Sequence, residues 1–276
     1  MDNEDNMKKI LITSVLSLTV LITGTALASH SWSVFHWART SNPFTLYVGD
    51  SVSSKWDSAL ALASSDWSTS SVLDTQIVSG TANPKTCKPA DGRIEVCNSS
   101  YGNTGWLGIA QVWITGGEHI TKSAVKLNDF YHDYAPYNAP EWRNFVMCQE
   151  VGHAFGLDHQ DEDFDNLNLG TCMDYTDNPA DNQHPNAHDY AELEAIYAHT
   201  DLFTTIIEPS TDGGGSGPGG GNGGGKGRGN SVGFEIASEH AEFGQAVRLS
   251  ADGKPSLYRK NLGNGEEVYT HVFWAR

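Results

Sequence analysis

Four side chains that could hold a metal ion, or work beside one, lie close together in the chain: Gln149, Glu150, His153 and His159. On a helix, Gln149 and His153 are four residues apart and project from one face, with Glu150 on the same rim. Gly156 can take the left-handed conformation that ends a helix, so the chain can turn back and bring His159 towards His153. This arrangement predicts a metal site with two or three ligands and a carboxylate beside the ion.

The stretch resembles the metzincin metallopeptidase pattern H-E-x-x-H-x-x-G-x-x-H, which is followed by a Met-turn. The matching residues are Glu150, His153, Gly156 and His159, and Cys172-Met173-Asp174-Tyr175 resembles the Met-turn. Gln149 stands where the pattern has its first zinc-ligand histidine. Among metzincins the chain most resembles the matrixins, with this one ligand replaced.

The resemblance implies a zinc-dependent endopeptidase that hydrolyses peptide bonds with metal-activated water. Glu150 would be the general base that takes a proton from this water and hands it to the leaving amine. Met173 would form the hydrophobic floor under the site. Tyr175 would stabilise the oxyanion, as a tyrosine at this place does in some metzincins, although matrixins generally lack it.

The third metal ligand is left open by the sequence. Gln149 could be a weak ligand through its amide oxygen, which binds zinc less well than imidazole does. Alternatively, another side chain or a water molecule completes the set, with His184, His188 and Asp158 within reach along the chain. A third alternative is a site without metal, and a site of carboxylate and amide groups could also prefer a harder ion than zinc.

The predicted elements indicate an α+β fold: a metzincin-like twisted mixed β-sheet with an active-site helix, a Met-turn and a C-terminal helix. The resemblance covers about residues 43 to 203. Helices are predicted over 51–68, 140–155 and 188–199, and strands over 44–48, 72–78, 93–96, 106–115 and 120–127.

The stretch over 108–112 has two interpretations. By resemblance it is the antiparallel edge strand of the sheet, which lies over the cleft and pairs with the backbone of a peptide substrate. The alternative is an ordinary hairpin with the strand that follows Gly116-Gly117.

Four cysteines remain after the predicted signal peptide: Cys87, Cys97, Cys148 and Cys172. An even number in an exported chain suggests disulfides, and several pairings are allowed. We favour Cys87 with Cys97, which closes a loop, and Cys148 with Cys172. The second pair would join the motif helix to the Met-turn, because each of these cysteines directly precedes a motif residue. The alternative makes Cys148 or Cys172 a thiolate ligand of the metal.

The ends of the chain are interpreted as additions to this domain. A basic pair, a short apolar run and a small-residue cleavage site predict a signal peptide at 1–28, which favours a secreted, extracellular protein. The metzincin-like domain would span 29–207, and a glycine-rich linker would follow at 208–231. Residues 232–276 would form a small β-rich C-terminal module that either docks on the main domain or binds something at the cell surface.

The formal net charge of -17 argues against nucleic acid or an anionic membrane surface as a partner. After removal of the signal peptide, no stretch is apolar enough to cross a bilayer. The metzincin resemblance implies a protein or peptide substrate, and we expect a monomer.

Two further alternatives remain open. An acidic stretch could bind calcium through carboxylate oxygens, although it lacks the spacing of an EF-hand, and the competing interpretation is a solvated loop. Its acidic residues are Asp161, Glu162, Asp163 and Asp165. The alternative function is a catalytically impaired metzincin fold that serves as an extracellular binding module.

Overall fold

The computed structural model describes residues 30–32, 34–207 and 240–276. The predicted signal peptide at 1–28 and linker at 208–231 lie outside these residues, so the proposed boundaries stay predictions. The helices are α1 (Asp57–Trp67), α2 (Asp129–His132), α3 (Pro140–Ala154) and α4 (Ala187–Ile196). The strands are β1 (His36–Trp37), β2 (Phe44–Ser51), β3 (Leu73–Ser79), β4 (Ile94–Ser99), β5 (Trp106–Thr115), β6 (His119–Asn128), β7 (Gln245–Leu249), β8 (Pro255–Gly263) and β9 (Glu266–Trp274).

These strands form one mixed sheet of nine strands in the order β3-β2-β4-β6-β5-β9-β8-β7, with β1 beside β6. Parallel pairs join β3, β2, β4 and β6, whereas antiparallel pairs join β6, β5, β9, β8 and β7. Buried and partly exposed residues alternate along much of β2, as expected for a strand with one face on the core. A mixed sheet with four helices is an α+β arrangement, as the sequence predicts.

Helices α1 and α3 contact each other and the sheet, and this contact holds the motif helix in place. The indole N–H of Trp67, at the end of α1, donates to the carbonyl of Cys148 at 3.1 Å. Gly152 allows the close approach, because a Cβ there would lie 2.7 Å from both the Trp67 ring and Sδ of Met173. The motif helix is therefore wedged between α1 and the Met-turn.

Both favoured disulfides are present, Cys87–Cys97 and Cys148–Cys172, which confirms this prediction and excludes a thiolate ligand from either pair. The second bond ties α3 to the loop that carries Met173. A cross-link closing a loop of this size contributes on the order of 3 kcal/mol in the chain-entropy model.

The C-terminal strands join the sheet of the main domain, which is the docked arrangement of the two that the sequence left open, and the bounds 232–276 stay a prediction. Strand β9 pairs antiparallel with β5 along the whole length of β5, and β8 and β7 continue the sheet beyond it. Val272 and Phe273 are buried by this pairing. Of the two interpretations of 108–112, the hairpin with the following strand is present, since β5 pairs antiparallel with β6. The open edge is not observed among the described residues, because β9 pairs with the N–H and C=O groups that such an edge would leave unpaired.

Smaller differences occur at element ends. The helix predicted from residue 51 begins at Asp57, because Ser51 still belongs to β2 and the N–H of Trp56 closes a turn on the carbonyl of Ser53. Helix α4 begins after Asn186, whose side chain accepts from the N–H groups of two following residues, and it ends at Ile196 rather than at 199. Among the described helices, none has the length and apolar character that a membrane crossing requires.

Candidate metal centre

The turn after α3 has the geometry expected from its glycine. The helix ends at Ala154, and Gly156 has a φ of +97°, in the region that L side chains rarely adopt. A Cβ at this position would also strike the carbonyl oxygen of Phe35. The reversal brings Nε2 of His159 to 2.9 Å from Nε2 of His153.

The two imidazoles present their lone pairs to one point. Nδ1–H of His153 donates to the carbonyl of Leu157 at 2.9 Å, and Nδ1 of His159 lies 2.7 Å from a carboxylate oxygen of Glu162. Because each ring carries its proton on Nδ1, both Nε2 atoms are acceptors. Two lone pairs that face each other at this separation repel unless a cation or a proton lies between them.

A proton is disfavoured between these rings. Both side chains are buried, and burial lowers the pKa of His153 well below its ordinary value and that of His159 to about 3. Neutral histidines with fixed tautomers are the form that binds a metal. The donor set therefore fits a metal cation better than it fits an additional proton.

Gln149 faces the same point. It is fully buried, and its amide nitrogen lies 2.7 Å from Nε2 of His159. No described residue forms a hydrogen bond with its buried amide oxygen. A half-turn of the amide exchanges nitrogen and oxygen and turns an acceptor towards the imidazoles. The structure thus brings Gln149 to the place of the predicted third ligand, and ligation itself stays a prediction.

Glu150 is buried beside this group. Neither carboxyl oxygen has a hydrogen-bond partner among the described residues, and burial raises the pKa of the carboxyl well above its ordinary value. It lies against Gly108 of β5, where a Cβ would be 2.7 Å from its Oε1. A buried and unpartnered carboxyl group costs stability, so its presence calls for a functional explanation.

Tyr175 and Met173 take the positions expected from the Met-turn. The ring of Tyr175 lies 4.4 Å from that of His159, and its hydroxyl has no hydrogen-bond partner in the described structure. Burial, with nearby Glu162 and Glu150, raises the pKa of Tyr175 well above its ordinary value, so the hydroxyl stays a donor. Met173 is buried beneath Gly152 of α3. The catalytic role of Tyr175 stays a prediction.

The other candidates for a third ligand lie elsewhere. His184 is exposed and places Nδ1 2.7 Å from a carboxylate oxygen of Asp66. The ring of His188 stacks on that of His30 at 4.7 Å. Asp158 lies on the Nδ1 side of His159, away from the shared point, and its carboxylate forms an ion pair with Arg248.

The residue that sequence reasoning missed is His271, on β9. Each of His153, His159 and His271 offers a ligand atom within 4.8 Å of the other two. The ring of His271 is 1% exposed and stacks on His153 with centroids 3.9 Å apart. Neither of its nitrogens has a hydrogen-bond partner within the part of the chain that the structure describes. In the sheet it stands opposite Ala110 of β5, and no local pattern reveals such a pairing.

The C-terminal strands close the centre. Arg248 on β7 forms a two-pronged ion pair with Asp158 and lies 3.4 Å from Glu162, which also accepts from the hydroxyl of Ser256 at 3.2 Å. The ring of Trp32 stacks on His271 at 3.7 Å. As a result, the imidazole pair and the neighbouring carboxyl group are shut off from solvent in this conformation.

The acidic loop gives no support to the calcium prediction. The two oxygens of Asp161 accept from the N–H of Asp163 and from the amide of Asn166, and Asp163 accepts from the N–H of Asp165. Glu162 turns away towards His159. These described carboxylates serve loop hydrogen bonds and do not converge on one point.

Comparisons with known proteins add little to this geometry. No protein-family model matches the chain, and a search of curated proteins finds no match. Among solved structures, the chain is similar to high choriolytic enzyme 1, a hatching-enzyme zinc protease from the medaka fish Oryzias latipes. That similarity covers 60% of this chain and 96% of the other, at 12% identity and a TM-score of 0.35. A likeness at this score decides neither fold nor activity.

Proposed function

We propose that this protein is an exported, metal-dependent endopeptidase of the metzincin type, whose catalytic centre is closed by its own C-terminal strands. The observation that carries the proposal is the pair of Nε2 atoms 2.9 Å apart, in rings whose Nδ1 atoms are already engaged. Zinc suits this set of imidazole and amide ligands. The two disulfides fit an oxidising compartment outside the cell.

The residues around the centre divide the work of peptide hydrolysis. His153 and His159 would hold the ion, with the amide of Gln149 as a third, weaker ligand. A zinc ion held there would supply a Lewis acid that polarises water and the scissile carbonyl. Glu150 would take the proton of the attacking water at a carboxyl oxygen and deliver it to the leaving amine. The hydroxyl of Tyr175 would donate to the developing oxyanion.

Strand β9 takes the place that a bound peptide would need. An extended substrate gains affinity by adding a strand to an open edge, and the edge of β5 at 108–112 pairs instead with Tyr269 to Phe273. The same strand inserts His271 beside the imidazole pair. We infer that the chain is latent in this conformation and that hydrolysis requires displacement of β9.

One observation favours a second candidate, an extracellular binding module. Glu150 is 0% exposed, and Val272 and Phe273 of β9 are buried like core residues. If β9 stays in the sheet, no substrate can reach the metal centre. The centre would then only stabilise the fold. The two candidates differ in whether peptide cleavage follows when the C-terminal strands are released.

The test uses the full chain with a specific protease site placed in the glycine-rich linker at 208–231. The folded protein is cut there and diluted, so that β9 can dissociate, and cleavage of an unfolded protein substrate is followed. We expect cutting to raise activity at least about tenfold, and Glu150→Gln to lower it by about 10²–10⁴-fold. The control Glu141→Gln, on the same helix but outside the centre, should leave activity unchanged.

Zinc content, measured on the same samples and on His153→Ala, separates the candidates. Zinc that is lost in His153→Ala, together with cleavage that depends on Glu150, supports the endopeptidase. A chain that retains zinc yet cleaves nothing after release of β9 would leave only the binding module.

A further inference from the structure

A second group of metal-ligating side chains shares no residue with the centre described above. It comprises His36 on β1, His119 at the start of β6, and His199 and Asp201 just after α4. We propose that this group, called here the His36 cluster, binds a zinc ion in a closed structural site. The inference does not depend on the proposed peptidase activity.

Distances within the His36 cluster decide between hydrogen bonds and a shared ion. Oδ1 of Asp201 lies 3.4 Å from Nε2 of His36, 3.4 Å from Nε2 of His119 and 3.8 Å from Nε2 of His199. Hydrogen bonds of this type are about 2.7–3.2 Å long. Four ligands about 2.0–2.1 Å from a zinc ion stand about 3.3 Å apart along the edges of a tetrahedron. The separations of Asp201 from His36 and His119 agree with this edge, and the ligand atoms of these three residues all lie within 4.8 Å of one another. His199 lies 3.2 Å from His36 and 3.8 Å from Asp201, and a rotation of its half-exposed side chain would complete the set as the fourth ligand.

The ring of His36 is oriented for ligation. Its Nδ1–H donates to the carbonyl of Val34 at 2.7 Å, so in the neutral ring Nε2 carries a lone pair. That lone pair points at the carboxylate of Asp201 and lies 3.2 Å from Nε2 of His199. A lone pair aimed at a carboxylate oxygen is repulsive, and a cation between the two atoms removes the repulsion.

Asp201 is held in place by its other oxygen. Oδ2 accepts from the backbone N–H of Arg39 at 3.0 Å and from its guanidinium at 3.1 Å, which leaves Oδ1 free to face the histidines. Ligating carboxylates are commonly fixed in this way by a further hydrogen bond. Three neutral imidazoles and one carboxylate form a nitrogen-rich, four-ligand set of the kind that closes a structural zinc site.

The cluster is open enough for an ion to reach it. His36 is buried, but the His199 side chain is 53% exposed. A cleft of about 340 Å³, lined in part by both residues, leads in from the surface. A bound ion would join β1, the β5–β6 turn region and the end of α4, which are far apart in sequence, and would so stabilise the domain.

The experiment compares His199→Ala with His184→Ala in the full chain. Both side chains are about equally exposed and both lie beside a carboxylate, but only His199 belongs to the cluster. Zinc is added to metal-stripped protein, excess is dialysed away, and zinc per chain is measured by mass spectrometry. Because only the difference between variants is used, occupancy of the other centre does not affect the result.

We expect His199→Ala to hold one zinc fewer than wild type, and His184→Ala to hold the wild-type number. Competition with a chelator should show that the affinity of this site falls more than about 100-fold, beyond the loss caused by an outer-shell partner. His119→Ala is the second variant and should give the same loss. Equal zinc content in wild type, His199→Ala and His119→Ala would overturn the proposal.

Discussion

At the scale of single residues, the question is why an amide stands where an imidazole would bind zinc better. Gln149 is buried and points its amide at His159, so an amide faces the imidazoles at the position where the motif resemblance implies a zinc-ligand histidine. An amide oxygen is a weaker zinc ligand than an imidazole nitrogen. Most of the zinc-binding energy would therefore come from the two histidines. The centre should therefore lose zinc readily unless another group assists it.

The substitution Gln149→His should raise zinc affinity at least about tenfold, because an inner ligand changes affinity by no less than an outer-shell partner does. Affinity is measured by chelator competition in a His199→Ala background, so that one site is titrated. Gln183→His, on a partly exposed side chain that accepts from Asn144, is the control. Unchanged affinity in Gln149→His would mean that this side chain does not face the ion.

Two features of the structure require a glycine at position 156: a positive φ and a close approach to the backbone of Phe35. Gly156→Ala should lower the free energy of unfolding by about 2 kcal/mol or more, since the backbone penalty alone is about 1–2 kcal/mol. Gly117→Ala is the matched control, with a φ of +84° and open space around it. Urea denaturation should show the larger loss at Gly156; equal losses would contradict the close approach.

The residue-scale predictions succeed where the interactions are local. His153 and His159 meet because helix spacing and one glycine determine their separation. His271 and the His36 cluster are brought together by strand register and by chain ends that are distant in sequence. No pattern within a short window carries that information, so these groups become visible only in the folded chain.

At the scale of elements, the short helix α2 contains a titratable group away from both proposed sites. His132 is buried against Trp56, and its Nδ1 lies 3.1 Å from the carbonyl of Tyr137. Burial lowers the pKa of His132 to about 4. Between about pH 4 and about pH 6.5, His132 is protonated in the unfolded chain but stays neutral in the folded chain.

Stability should consequently fall as the pH drops from about 6.5 to about 4, by an amount on the order of 3 kcal/mol from this residue. His132→Gln removes the effect, so the wild-type and variant curves of unfolding free energy against pH should converge at low pH. His184→Gln, at an exposed histidine, should keep the wild-type slope. Parallel curves for wild type and His132→Gln would show that His132 does not resist protonation.

Strands and long helices are largely predictable from the sequence. β2, β3, β5 and β6 have β-branched and aromatic runs between turn residues, and α3 begins at a proline and is followed by a glycine. The strand β1 is missed because its two residues show no period, and α2 because four residues form barely one turn. Short elements exist through their tertiary contacts rather than through their own propensity.

At the scale of the whole molecule, the C-terminal strands cover the candidate metal centre. The sequence predicts a small β-rich module at 232–276, but it predicts neither the place of its strands in the sheet nor their position over the centre. A glycine-rich stretch at 208–231 separates them from the main domain, so sequence order gives no register. The C-terminal strands thereby cover the centre that we propose to be a peptidase site, and we propose that they must leave it before a substrate can bind.

Anomalous diffraction at the zinc edge, from crystals of the full chain grown with zinc, tests the central claim most directly. We predict an anomalous peak about 2.0–2.2 Å from Nε2 of both His153 and His159, with the amide oxygen of Gln149 turned towards it. Zinc-containing crystals with no peak between these two imidazoles would contradict the account.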